Sequence, residues 1–376
     1  MGIIIHIKEV IKVSNKSHFH GSDLEKIESI YKINKYDIIN FSGNVNPLGV
    51  SRNLIDLLSK NVHVIGMYPD REYTRLRKQL EKYIGVNYEN IIVGNGSTEL
   101  ISIFINIIKP TKALIVGPTY SEYEREISIG GGFSNYYSLK EELDFKIDIK
   151  DLLSNITDDM DLLVICNPNN PTSTSIYSED IKCILEYCHE KNIYVMVDET
   201  YIEFTKEMDK ITSVGLTYSY DNLFITRGVS KFYASPGLRL GYGICGNKSI
   251  MEKINSLKNP WTINSLASFA GEVMFEDEGY IKLTKDFIEQ ERNRIYTELN
   301  SWKDIKVFPP TANFILIKIL RDDIDSHELF ETLIKKKIMI RDASTFPFLN
   351  SQFFRFCFMN KEQNDLILDE LSRIFN

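Results

Sequence analysis

The chain has 376 residues, with 44 Lys and Arg against 52 Asp and Glu, a formal net charge of -8 and 43% hydrophobic residues. That length suits two packed bodies of unequal size, and the composition is ordinary for a soluble globular protein. The acidic balance argues against a nucleic-acid partner, because neutralising phosphates takes a basic face, and no run of 18 apolar residues is present to span a membrane.

The five cysteines, Cys166, Cys183, Cys188, Cys245 and Cys357, are odd in number and form no C-x-x-C pair. They read as reduced thiols of a cytoplasmic protein. Cys188 and His189 lack further ligands at useful spacing, so no metal site is expected.

In chain order, residues 1–22 read as an arm ending at His20-Gly21. A helix follows from Asp23, with Ser22 or Asp23 as cap and Leu24, Ile27, Ile30 and Tyr31 on one face. Residues 42–49 are rich in Gly, Asn and Pro and mark an irregular loop. From about residue 71 helix and strand alternate. A helix over 71–84 turns Tyr73, Leu76, Leu80 and Tyr83 inward, and another runs from Gly96 towards Pro110. Further helices are expected near 121–129 and 179–191, between strands at 91–93, 113–116, 162–166, 194–197, 223–226 and 240–244. Nearly continuous apolar strands separated by helices predict an α/β fold with a mostly parallel sheet buried on both faces.

After Pro260-Trp261 the texture changes to a long helical region over 263–301, strands at 313–319, 338–341 and 353–358, and helices at 326–335 and 361–375. The expected division is an arm and segment packing with the small domain (1–50), a large domain (51–258), and a linking helix with a small α+β domain (259–376).

Ligands of such sheets sit beyond the carboxyl ends of the strands, and the polar clusters fall there. Gly94-Asn95-Gly96-Ser97-Thr98 offers N–H groups and hydroxyls at a helix start, which serve either as an anion site or as a plain capped turn. The G-x-G-x-x-G spacing of a dinucleotide site is absent. Asp198 leaves an apolar strand and needs a partner, which a pyridinium N–H, an ion pair or a helix end can supply. Tyr201 follows three residues on, and Asn170 sits in an Asn-Pro turn. Lys231, next to Ser230 and eight residues before Arg239, can hold an aldehyde through its amine while the guanidinium forks onto a phosphate. Pyridoxal phosphate requires both.

The ordered set of Asn169-Asn170-Pro171-Thr172, Asp198-Glu199-Thr200-Tyr201, and Ser230-Lys231 with Arg239 in Pro236-Gly237-Leu238-Arg239-Leu240-Gly241-Tyr242 resembles the fold-type I pyridoxal-phosphate aminotransferases, from about residue 37 to the end. The resemblance implies pyridoxal 5'-phosphate as cofactor, Lys231 as the Schiff-base lysine and Asp198 as the partner of the ring nitrogen. It also implies Asn170 and Tyr201 at the ring hydroxyl, Tyr120 stacked on the ring, and Ser97, Thr98, Ser230 and Arg239 around the phosphate. Tyr68 is implied to reach the phosphate of the neighbouring subunit in a homodimer with shared active sites, and Arg355 to fork onto the substrate α-carboxylate. Two residues depart from the family pattern. Gly228 stands where relatives carry a phosphate-binding Ser or Thr, and Ser173 replaces the glycine that ends the Asn-Pro-Thr-Gly turn.

Within the family the chain most resembles the histidinol-phosphate aminotransferase branch, and inside it the L-threonine-O-3-phosphate decarboxylases of cobalamin synthesis, on the stretches His20-Gly21, 41–49, 231–239 and 259–264. That implies decarboxylation of a phosphorylated amino acid to an amino-alcohol phosphate. The alternative is transamination of a phosphorylated amine such as histidinol phosphate with 2-oxoglutarate. Either substrate needs a second anion site, for which His20, Asn46 and Arg341 are the candidates. His20 reads equally as a solvated side chain of the arm, and Arg341 as an ion pair with Asp342.

Overall fold

The computed structural model describes Gly21 and residues 23–376. The expected arm, with His20 and Ser22, lies outside the described residues except for Gly21.

The strands in chain order are Ile39–Asn40 (β1), Ile91–Asn95 (β2), Lys112–Gly117 (β3), Phe133–Ser138 (β4), Leu162–Cys166 (β5), Tyr194–Asp198 (β6) and Leu223–Gly228 (β7). They continue with Leu240–Cys245 (β8), Ile305–Val307 (β9), Phe314–Ile319 (β10), Ile338–Met339 (β11), Arg341–Asp342 (β12) and Phe353–Cys357 (β13). Seven of them form one sheet in the order β2-β8-β7-β6-β5-β3-β4, parallel except for β8, which runs antiparallel to both neighbours.

Alternation along these strands sends Ile115, Val164, Met196 and Phe224 into one apolar cluster and Leu114, Ile165, Val197 and Ile225 into another. Both faces are therefore covered, which is why the strands read as unbroken apolar runs. Asp198 continues the Met196 side, and its register partner is Cys166. Helix Gly96–Ile108 is seated on that side by Phe104, whose ring stacks on Phe224 at 4.3 Å.

A second sheet, β12-β13-β10-β9, is antiparallel, with Arg355 of β13 opposite Arg341 on one side and Leu316 on the other. β1 pairs in parallel with β11, so the chain before residue 41 is joined to the C-terminal part. Among the described residues no helix is long and apolar enough to cross a membrane.

The structure corrects several expectations. The helix expected from residue 71 begins at Thr74, because Tyr73 has a left-handed φ of 49°. The helical region over 263–301 is two helices, Ser265–Met274 and Glu278–Leu299, and Asp277 caps the second by accepting from Tyr280 N at 3.1 Å. The run at 338–341 divides into β11 and β12, which pair in different sheets. Strand β4 was not expected; its sequence F-S-N-Y-Y-S is half polar, as suits the sheet edge it occupies.

Ser173 keeps the geometry of the glycine it replaces. Its φ is 60°, a left-handed conformation that costs a residue with a Cβ about 1–2 kcal/mol. Its buried hydroxyl accepts from Ala312 N at 2.9 Å and Thr311 N at 3.2 Å, an offset of similar size that also ties the turn to the C-terminal part.

The closest approach between strand and helix lies at Gly241. A Cβ there would stand 2.3 Å from Ser97 N and 2.4 Å from Gly96 C, both backbone atoms that cannot swing aside. Gly241→Ala is expected to lower unfolding free energy by about 1–3 kcal/mol and to weaken phosphate binding at the helix start; urea unfolding of the apoprotein and a cofactor titration check the two effects.

Candidate active site

The carboxyl ends of β2, β5, β6 and β7 collect the expected residues along one edge of the large sheet. Ser97 and Thr98 occupy the first turn of helix Gly96–Ile108, whose cap residue Asn95 makes no side-chain cap bond. The first-turn N–H groups have no intrahelical acceptor and carry the positive end of the helix dipole. Arg239, itself at a left-handed φ of 56°, leans over this turn with Nη2 at 3.4 Å from Asn95 O. A Cβ on Gly96 would come within 2.5 Å of that nitrogen, so glycine keeps the cradle open. N–H groups, hydroxyls and a guanidinium in this arrangement fit a phosphate.

Asp198 is 4% exposed. Its Oδ1 accepts from Thr200 N at 2.9 Å and Thr200 Oγ1 at 2.5 Å, and its Oδ2 accepts from Tyr123 Oη at 2.7 Å. Burial raises its pKa, and the Thr200 and Tyr123 hydrogen bonds oppose that shift. No salt bridge to it is formed among the described residues, so a cationic ring N–H suits it.

Lys231 Nζ donates to Gly43 O at 2.7 Å. Its pKa is lowered to about 8, first by desolvation and then by Arg355 and Arg239, with Cys357 opposing. An amine held there is substantially neutral near pH 8 and able to attack a carbonyl or take a proton.

Arg355 is 4% exposed. Its Nη1 donates to Asn170 Oδ1, its Nη2 donates to Ser42 O at 2.7 Å, and its Nε has no hydrogen-bond partner among the described residues. Burial lowers its pKa. Tyr201 lies beside it, 5% exposed, and its hydroxyl accepts from Asn44 Nδ2 at 3.3 Å. Burial raises the Tyr201 pKa, and the Arg355 charge opposes the rise. Arg341, next to Arg355 in the sheet, donates to Thr345 Oγ1 at 2.6 Å and has its pKa lowered to about 10, first by burial and then by Arg355. The Tyr120 ring meets Tyr123 edge-on at 5.6 Å.

Lys231, Asp198, Tyr201, Asn170, Tyr120, Ser97, Thr98, Ser230 and Arg239 follow or end strands of the large sheet, and Arg355 of the second sheet meets them through Asn170, with Arg341 as its strand neighbour. Tyr68 stands apart, 81% exposed and packed on Trp261 at 4.9 Å. Asn46 requires a correction. Its amide nitrogen is shared by Phe232 O at 2.8 Å, Tyr280 Oη at 2.8 Å and Thr284 Oγ1 at 3.0 Å, while its Oδ1 accepts from Leu48 N. No amide hydrogen remains for a substrate phosphate.

Two contributors were not expected. Tyr123 is the first, and its only sequence signal is a position three residues after Tyr120. The second is Arg227, which donates to Glu199 Oε2 at 2.7 Å with both side chains at most 2% exposed, tying the end of β6 to the end of β7.

This fold with a strand-end lysine, a buried carboxylate and a phosphate cradle defines a fold-type I pyridoxal-phosphate enzyme. The sequence model of aminotransferase class I and II matches residues 36–371, and the chain belongs to that family. Pyridoxal 5'-phosphate is its cofactor. A provisionally named threonine-phosphate decarboxylase of Caldanaerobacter subterraneus subsp. tengcongensis is 38% identical over 88% of this chain and 89% of its own length. The threonine-phosphate decarboxylase of Salmonella typhimurium is 31% identical over 94% of this chain and 96% of its own. The crystal structure of the histidinol-phosphate aminotransferase from Clostridium acetobutylicum superposes with a TM-score of 0.83 at 36% identity, covering 89% of this chain and 98% of that one.

Gly228 leaves room for the hydroxyl that it lacks. A Cβ there would lie 3.6 Å from Ser97 Oγ and 3.8 Å from Leu240 O, ordinary contact distances. Gly228→Ser is expected to tighten cofactor binding by about 5- to 10-fold, the size of one added hydrogen bond, as measured by titrating the apoprotein with pyridoxal phosphate.

The depressed Lys231 pKa yields a second expectation. The rate at which apoprotein captures pyridoxal phosphate should rise with pH through a midpoint near 8. Arg355→Gln removes a neighbouring positive charge, so protonated Lys231 becomes less costly and the midpoint moves upward in stopped-flow absorbance.

Proposed function

We propose that the chain decarboxylates a phosphorylated α-amino acid of the L-threonine-O-3-phosphate type, releasing CO₂ and an amino-alcohol phosphate. The observation that carries this reading is Arg355, a buried guanidinium that among the described residues is bonded only to neutral oxygens and has no partner for its Nε. A buried charge of this kind calls for a carboxylate. The nearby Arg341 and Lys231 add positive charge suited to a second anionic group on the same molecule. The names of the two decarboxylase relatives agree with this reading.

In this reading Ser97, Thr98, Ser230 and Arg239 hold the cofactor phosphate, with Asp198 at the ring nitrogen, Asn170 and Tyr201 at the ring hydroxyl and Tyr120 on the ring face. Bound there, pyridoxal phosphate supplies an aldehyde for the substrate amine and a ring that accepts the electron pair released at the substrate Cα. Arg355 grips the carboxylate and sets the direction in which the bond from Cα to it points. Asn170 and the Ser42 carbonyl stop the guanidinium from following the substrate as CO₂ leaves. Lys231 Nζ then holds the proton that Cα receives, which balances the lost carboxylate. Arg341 stands as the ligand of the substrate phosphate, and His20 remains a candidate for the same role.

The assembly in this proposal is a homodimer. Ile65, Met67 and Tyr68 are 65%, 65% and 81% exposed beside Trp261 at 44%, an apolar tip that a second copy covers while Tyr68 reaches the partner's cofactor phosphate.

The assay supplies L-threonine phosphate, L-serine phosphate or histidinol phosphate, each with and without 2-oxoglutarate, and measures CO₂ and glutamate. CO₂ from a phosphorylated amino acid without 2-oxoglutarate is expected. Arg355→Gln should cut kcat/KM about 10- to 100-fold, the range for a lost charge-assisted pair. Glutamate formed without CO₂ overturns the proposal in favour of transamination, as the Clostridium acetobutylicum enzyme's name suggests.

A further inference from the structure

We propose that Tyr123 is a positioning residue: its hydroxyl fixes the plane of the Asp198 carboxylate and keeps it ionised, so that the cofactor ring nitrogen holds its proton. The inference rests on the assignment of Asp198 to that nitrogen made above.

The geometry around Asp198 separates two kinds of support. Oδ1 is held by Thr200 N and Thr200 Oγ1, from the same turn two residues on. These bonds move with the turn and leave the carboxylate able to rotate about its own side chain. Oδ2 is held by Tyr123 Oη at 2.7 Å, from helix Glu122–Ile129. Among the described residues, Tyr123 supplies the only hydrogen bond to the Asp198 carboxylate from outside its own turn.

Tyr123 is 0% exposed, so its hydroxyl has no water to exchange with. Burial keeps the phenol protonated and therefore a donor. Three donors on one buried carboxylate stabilise its charged form, and removing one of them shifts the balance towards the neutral acid. A neutral Asp198 cannot hold a proton on the ring nitrogen by charge. Tyr120, whose ring meets that of Tyr123 at 86°, lies on the same turn of chain. The segment 120–123 thus combines a candidate for the ring face with a support for the ring nitrogen's partner.

Tyr123→Phe removes one oxygen and keeps the buried ring. The holoenzyme's visible absorbance is titrated with pH for wild type and variant, and the apoprotein is titrated with pyridoxal phosphate. The visible band reports the proton at the Lys231 nitrogen, which a positive ring nitrogen makes easier to lose. In Y123F that midpoint is expected to rise by about one pH unit and cofactor affinity to fall about tenfold. Reconstitution with N1-methyl pyridoxal phosphate, whose ring charge is permanent, should make the two proteins titrate alike.

An unmoved midpoint overturns the inference, and so does a difference that survives the methylated cofactor, since a merely structural role would produce either. If Y123F fails to fold, Thr200→Val removes one donor from Oδ1 and should raise the midpoint by a smaller amount; no movement there overturns the inference as well. A wild-type protein that takes up pyridoxal phosphate without a visible band sinks the cofactor reading itself, and the missing band tells that failure apart.

Discussion

The loop over 41–49 is the constraint on which the site depends, because it is bonded to Lys231 and Tyr201 of the large-sheet side and to Arg355 of the second sheet. Gly43 O takes the Lys231 ammonium, and Asn46 N donates to Lys231 O at 3.0 Å. Ser42 O takes Arg355, Phe41 O takes Cys357 N at 2.8 Å, and Asn44 is bonded to both Tyr201 and Asn313. A carbonyl-rich irregular segment suits this task. Its backbone oxygens cannot be spent on a ladder of its own, so they satisfy the buried cations that arrive from both sides. The same loop explains why Asn46 is unavailable to a substrate: it is the rivet that fastens the loop to Phe232, Tyr280 and Thr284.

A second theme is the imbalance of charge. The chain as a whole is acidic, at -8. The site reverses that sign. Lys231 and Arg341 have their pKa lowered first by burial and then by the positive charge of Arg355, with Arg239 adding to the effect at Lys231 and Asp342 opposing it at Arg341. Folding carries the cost of holding like charges together, and an anionic ligand relieves it. Stability and binding are therefore coupled at this edge of the sheet. By contrast the Arg227 and Glu199 pair beneath it is internally neutralised, and serves to hold two strand ends in register.

Much of this was legible in the residues themselves. Lys231, Asp198 and Arg239 could be placed because apolar strands announce their own ends, and a charged residue just past such an end has few structural reasons to be there. The two-sided burial of the sheet followed from the same runs. What escaped notice was whatever depended on counting hydrogen bonds in three dimensions. Asn46 looked free, and its saturation becomes visible only when Tyr280 and Thr284, far along the chain, are brought beside it. Tyr123 was hidden in S-E-Y-E-R-E, a stretch expected to be helical and carrying no other mark of a site. Strand β4 escaped because an edge strand with one half-wet face lacks the apolar run that marked its neighbours. Ser173 looked like a defect, because the two amides that reward its hydroxyl come from residues 311 and 312.

The placement of β8 bears on how the protein assembles. The cradle at Gly96 is closed by Gly241 and Arg239, from a strand at the opposite end of the large sheet's sequence that slots between β2 and β7. The first strand of that sheet to be made has no sheet partner until the last, already paired with β7, is in place. Pairings between such distant segments form late, after the loop-closure entropy has been met by nearer contacts. A nascent chain that stops short of Arg239 holds the helix start at Gly96 without the residues that close the cradle over it. The ability to retain a phosphate thus marks completion of the large sheet, and cofactor uptake reports that its first and last strands have met.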